Sequence, residues 1–164
     1  MNPAIIVDLD DCLFDSRHLE QYIPKVKNDR AGWDLVQEKM AESEVNKHIL
    51  VLLDALWLLE NIELIFVTGR EGTAKLREQT EAQLDLYFPN YKIFYRPEND
   101  YRKAAEVKKE IYLNNIKGKY DILFAIDDDI QNIRMFEKLG IHTLHCRYGR
   151  KNNARIKQRN SGMG

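Results

Sequence analysis

The chain has 164 residues, 44% hydrophobic and 31% charged, with four prolines and eight glycines; this gives one domain with room for a substantial core and excludes a disordered or fibrous chain. The formal net charge of −1 is uneven, because residues 147–164 carry Arg147, Arg150, Lys151, Arg155, Lys157 and Arg159 without an acid and leave residues 1–146 acidic. The most apolar run, 49–59, is too short to span a bilayer and contains Asp54, so no membrane association is expected.

In chain order, the apolar run AIIVDL at 4–9 reads as a first strand. It starts with no basic and apolar leader before it, so secretion is not expected. Residues 14–44 are polar, with Tyr22, Pro24 and Trp33, and read as a small insert or lid. From Val45 to Leu59 the apolar positions Val45, Ile49, Leu52, Leu53, Leu56 and Leu59 follow helical spacing. Then come strand LIFVT at 64–68, a helix over 74–87 that stops before Pro89, strand YKIFY at 91–95 and a helical segment over 101–115. Strand ILFAI at 122–126, a helix over 130–139 capped by Gly140 and a weaker strand HTLHC at 142–146 complete the pattern. Near-continuous apolar strands alternating with helices predict an α/β fold: a doubly wound parallel sheet over 1–146, followed by a basic tail at 147–164. In such a sheet, ligands sit beyond the carboxyl ends of the strands.

Acids gather at two of those ends. Asp8-Leu9-Asp10-Asp11 closes the first strand, where alternation places Asp8 and Asp10 on one side, and Asp127-Asp128-Asp129 follows ILFAI. Acids after strands also serve as helix N-caps, a role open to Asp128 or Asp129. Two carboxylate clusters in one crevice repel unless a cation lies among them, and oxygen ligands suit magnesium. Thr68-Gly69-Arg70 at the second strand end supplies a hydroxyl, a turn and a guanidinium able to hold phosphate. Cys12 and Cys146 form no CxxC pair, so neither a zinc site nor a disulfide framework is indicated, and a reducing cytoplasm is the expected compartment. The four histidines show no metal-ligand spacing and read as structural or surface residues.

The order DxD, Thr, Lys, paired acids, carried by Asp8 and Asp10, Thr68, a lysine within 103–109, and Asp127 with Asp128, resembles the haloacid dehalogenase (HAD) superfamily. From residue 64 onward, VTGREGT at 67–73, RKAAEVKKEI at 102–111 and LFAIDDDIQNIRMFEKLGI at 123–141 look most like the phosphatase domain of phage polynucleotide kinase/phosphatase. That likeness selects Lys108 as the motif lysine. It implies a magnesium-dependent phosphatase with Asp8 as nucleophile, Asp10 as acid and base, and Thr68 and Lys108 stabilising the phosphoryl group. Metal would be held by Asp8, the Asp10 carbonyl and Asp127, with Asp128 nearby, and Gly69 and Arg70 would face the substrate.

The implied substrate is a 3′-phosphate on a nucleic-acid end; a nucleotide or sugar phosphate is the alternative. Tyr22 and Trp33 either stack on a base or form the insert's own core. The chain departs from the pattern at Cys12, where the superfamily usually has threonine after DxD and one residue. A thiol donates more weakly than a hydroxyl, so a looser loop is expected there. No GxxxxGK[ST] is present, so no kinase activity is expected. A receiver-like signalling module is disfavoured because its acid pair comes at the first strand and its lysine last. A catalytically silent nucleic-acid-binding protein would be expected to lack a motif acid, and none is missing.

Overall fold

A computed structural model describes residues 1–26, 29–58 and 62–147. The expected basic tail therefore lies, apart from Arg147, outside the described residues. Five parallel strands form the main sheet in the order β5-β4-β1-β6-β7: β1 (Asn2–Val7), β4 (Glu63–Glu71), β5 (Lys92–Arg96), β6 (Tyr120–Asp127) and β7 (Thr143–His145). Helices α2 (Lys47–Leu58), α3 (Ala74–Asp85), α4 (Ala104–Ile111) and α5 (Ile130–Lys138) cover its faces.

Strand alternation divides the core. Ile5 and Val7 of β1 and Leu64 and Phe66 of β4 point to one face, with Leu53 of α2 and Leu84 of α3. Ala4, Ile6, Ile65 and Val67 point to the other, with Val107 and Ile111 of α4 and Phe136 of α5. Both faces are buried, which explains why these strands read as continuous apolar runs rather than alternating ones.

Helix ends follow local chemistry. Thr73 caps α3 by accepting from the Leu76 N–H, and Asp129 caps α5 by accepting from the Gln131 N–H. Gly140, at φ +80°, ends α5: its N–H donates to the Glu137 carbonyl at 2.9 Å while the Ile141 N–H reaches Phe136 at 3.1 Å. The segment expected as one helix over 101–115 is shorter, with α4 running into a wider π-type turn at Tyr112–Ile116.

The insert has its own structure. Strands β2 (Phe14–Asp15) and β3 (Glu44–Val45) pair antiparallel at its base, with α1 (Arg30–Lys39) between them, flanked by 3-10 turns at Arg17–Tyr22 and Met40–Glu42. Trp33 on α1 is 46% exposed, so it does not serve as the insert's core. Tyr22 lies beneath Lys39, whose Nζ is 5.9 Å from the ring centroid. No helix among the described residues is long and apolar enough to cross a membrane.

Candidate active site

The carboxyl ends of β1, β4 and β6, the three adjacent central strands, converge on one acidic crevice. Asp8 immediately follows β1 and Asp127 closes β6; both are buried. Each has a carboxylate oxygen 2.6 Å from the Lys108 ammonium, which α4 delivers from its inner face beside Val107 and Ile111. Burial pushes the Asp8 carboxyl up to about 7, with the Asp127 charge adding to the rise and Lys108 opposing it. Burial alone would depress the Lys108 ammonium, but Asp127 and Asp8 outweigh it and hold the pKa above its ordinary value.

Donors hold both oxygens of Asp127. Oδ1 accepts from the Asp129 N–H at 2.9 Å and from Asn132 Nδ2 at 2.9 Å, while Oδ2 accepts from Lys108. Asn132 is a site residue that the sequence reading did not single out, although it lies in the first turn of α5 within the stretch 123–141 that carries the resemblance. Its Oδ1 is buried without a hydrogen-bond partner among the described residues. Side-chain oxygens of Asp8, Asp127 and Asp128 all lie within 4.8 Å of one another. Three carboxylates, one lysine and an unsatisfied amide oxygen make a donor set short of positive charge, and hard oxygen donors fit a magnesium ion.

Asp10 does not join this cluster. β1 ends at Val7 and the chain turns, with Asp11 in the left-handed region at φ 63°, yet the Asp10 charge stays near enough to add to the rise of the Asp8 carboxyl. Asp10 instead faces Arg70, whose Nε and Nη2 donate to its two oxygens at 3.0 and 2.8 Å. Arg70 Nη1 donates to Thr80 Oγ1 at 3.1 Å and Gln83 Oε1 at 3.0 Å on α3. Only 2% exposed, Arg70 is not the free phosphate clamp that its sequence position indicated.

The TGR segment is not a turn after β4 but part of it, and the strand runs to Glu71 with a register irregularity against β5 between Val67 and Glu71. Glu71 is paired with Arg96 of β5, and both Arg70 and Glu71 are buried. Thr68 Oγ1 accepts from the Arg70 N–H at 3.1 Å, which leaves its own proton to donate. Gly69 is exposed, its carbonyl accepting from Arg96 Nε at 3.1 Å.

The loop after β1 is tightly held, contrary to the expectation drawn from Cys12. The Asp11 N–H donates to Ser16 Oγ at 2.9 Å and to the Phe14 carbonyl at 2.9 Å, and the Phe14 N–H donates to the Leu9 carbonyl at 2.8 Å. Backbone and Ser16 thus do what a threonine hydroxyl was expected to do. Cys146 Sγ, distant in sequence, donates to the Asp11 carbonyl at 3.9 Å beside Cys12, and the neighbouring Cys146 thiol together with burial raises Cys12 well above its ordinary value. Both are free cysteines.

Comparison with known proteins adds to this geometry. Residues 2–150 match the family of polynucleotide kinase PNKP phosphatase domains within the HAD group. A protein of Autographa californica nuclear polyhedrosis virus, assigned as a bifunctional polynucleotide kinase/RNA ligase, is 27% identical over 108 residues, covering 65% of this chain and 15% of that protein. Two solved structures of a Pnkp1/Rnl/Hen1 complex, one described as an RNA repair complex, match with a TM-score of 0.71 at 28% identity. They cover 91% and 92% of this chain and 47% and 44% of theirs, so the chain spans less than half the length of these relatives. A hydrolase from Streptococcus pneumoniae shares the fold, with a TM-score of 0.53 at 14% identity over 96% of this chain and 98% of that one.

Proposed function

The chain belongs to the HAD family of polynucleotide kinase PNKP phosphatase domains and is a phosphatase, and from that premise we propose that it hydrolyses 3′-phosphates on nucleic-acid ends through an aspartyl-phosphate. The observation that carries the chemistry is the buried Asp8–Lys108–Asp127 triad at the end of the central strands. In this reading residues 1–146 are the phosphatase unit, with 14–44 as a lid.

Asp8 attacks phosphorus, the bond to the ester oxygen breaks, and Asp10 gives that oxygen a proton. Asp10, now a carboxylate, takes a proton from water, which attacks the same phosphorus; inorganic phosphate leaves and Asp8 is regenerated. Lys108 fixes the Asp8 carboxylate and offsets charge that accumulates on the phosphoryl oxygens. Thr68, whose hydroxyl proton has no acceptor among the described residues, donates to one of those oxygens. Arg70 holds Asp10 in place rather than touching phosphate. Asp8, the Asp10 carbonyl and Asp127, with Asp128 nearby, would hold magnesium, and bound metal would supply positive charge against the phosphoryl group.

The polynucleotide substrate is supported by the family match and by the polynucleotide kinase and RNA repair assemblies among the relatives. The test is phosphate release with magnesium from a 3′-phosphorylated oligonucleotide, compared with mononucleotides and sugar phosphates. Preferential release from the oligonucleotide, lost in Asp8→Asn with the fold intact, is the expected result. Preference for a small phosphate ester would replace the substrate assignment, and full activity of Asp8→Asn would remove the nucleophile.

A further inference from the structure

The helices that send Lys108 and Asn132 inward to the acid cluster also form a groove on their outer faces. Its volume is about 450 Å3, and Ala105, Met135 and Leu139 lie among its lining. Four cations line it: Lys103, the N-cap of α4; Lys109 on α4; and Arg134 and Lys138 on α5. Glu106 is the acid that faces them. All four cations are exposed, and among the described residues none belongs to an ion pair. This contrasts with Arg30, Lys39, Lys75, Lys92 and Arg102, each neutralised by a neighbouring carboxylate.

One end of the groove lies near the site. Gln131 on its wall immediately follows the first residue of α5, and its N–H is bound by the cap Asp129, whose own N–H donates to Asp127. From Gln131 to Lys138 the helix rises roughly 10 Å, the length of about three nucleotides of one strand at 3.4 Å each. Cations spaced along such a path match the regular negative charge of a phosphodiester backbone, and the apolar floor gives sugars and bases a surface that carries no sequence code.

We propose that the α4–α5 groove carries the single strand on the 5′ side of the terminal phosphate, so that the enzyme grips the body of its nucleic-acid substrate there while the acid cluster works on the end. This rests on the polynucleotide reading above. It assigns Lys109, Arg134 and Lys138 to backbone phosphates and gives them no part in the chemical step. An acidic protein segment is the competing occupant of a basic groove, but it offers no reason for one end of the groove to lie near the phosphatase site.

The test is a triple substitution, Lys109→Gln, Arg134→Gln and Lys138→Gln, with each single variant alongside. The substrates are a 3′-phosphorylated oligonucleotide long enough to span the groove and a nucleoside 3′-monophosphate, each assayed over a range of salt. For the wild-type protein, log KM for the oligonucleotide should rise steeply with log salt, and the triple variant should flatten that slope by about 2, with each single variant flattening it by less. Turnover of the nucleoside 3′-monophosphate should stay unchanged, which also shows that the variants fold. Wild-type hydrolysis of the oligonucleotide with an unaltered slope in the triple variant overturns the groove alone. Wild-type hydrolysis of the nucleoside 3′-monophosphate but not of the oligonucleotide overturns the polynucleotide reading, and the groove assignment with it.

Discussion

The guanidinium of Arg70 closes on the carboxylate of Asp10 through two hydrogen bonds, Nε to Oδ2 and Nη2 to Oδ1, while its third nitrogen is anchored to Thr80 and Gln83 of α3. The group proposed as acid and base is thereby braced from the α3 side of the sheet, and the proposed nucleophile Asp8 from the α4 side by Lys108. Two carboxylates two residues apart are thus held by different layers of the fold.

Arg70→Lys keeps the charge but loses the fork, so it cannot hold both Asp10 oxygens and α3 together. Misplacement of a proton donor by a fraction of an ångström to 1 Å is expected to lower kcat by on the order of 100-fold, with KM changed much less. Steady-state phosphate release measures the split. A rise in KM at constant kcat would instead assign Arg70 to substrate phosphate.

The strand and helix pattern was legible because its signals are local: apolar runs buried on both faces, Thr73 and Asp129 as caps, Gly140 as a stop. The acids at strand ends were legible for the same reason. The pairing of Asp10 with Arg70 was not, because Arg70 comes from the far end of β4, 60 residues later in the chain. The engagement of Arg70 depends on Thr80 and Gln83 one helix later, and Cys12 meets Cys146 only through the order β1-β6-β7. Asn132 lay on a helix whose periodicity marks core positions, with nothing to separate it from a capping or surface asparagine.

Lys108 carries the only ammonium shared by Asp8 and Asp127 among the described ion pairs. Lys108→Met keeps the apolar stem but leaves two buried carboxylates facing each other, and removing one partner from a buried pair costs about 3–5 kcal/mol. Thermal unfolding without metal should show that loss. Magnesium should restore part of it if the cluster holds the ion, since binding to the folded state alone is stabilising. An identical loss with and without magnesium would count against the cation site.

Acid stability has a defined contributor in the loop before α4. Hydrogen bonds from the Arg102 side chain hold the Asp100 carboxyl down at about 2, against an ordinary 3.8. Because the folded value is depressed, the unfolded chain binds the proton first as pH falls. The contribution is therefore complete above about pH 4 and disappears towards pH 2. Asp100→Asn should be less stable than wild type at neutral pH, with the two converging in urea unfolding near pH 2. The difference should be small, because Arg102 is exposed and the pair is screened. A gap that persists at low pH would assign the effect to packing.

The insert is clamped to the sheet through the residue after Arg70. Arg30 Nη1 and Nη2 donate to the two Glu71 oxygens at 2.8 and 2.9 Å, and Gln37 Oε1 accepts from the Glu71 N–H at 2.8 Å. Burial pushes Glu71 up, but the Arg30 hydrogen bonds and charge outweigh it and leave the carboxyl below its ordinary value. The clamp is thus charged at neutral pH and lost only in acid. Arg30→Ala removes both bonds and a 3.1 Å contact with the Tyr101 hydroxyl. Arg30 is 39% exposed, so global stability should fall by only about 1 kcal/mol. Local opening of the insert should rise more, since α1 then keeps only the Gln37 bond to the Glu71 N–H and the exposed Lys75–Glu38 pair, and the β2–β3 ribbon holds only the base. Limited proteolysis at neutral pH should then cut within 16–43 faster in Arg30→Ala than in wild type, with the sheet intact. Equal rates would mean that the ribbon and the contacts of Gln83 with the Met40 and Ser43 carbonyls are enough to hold the insert.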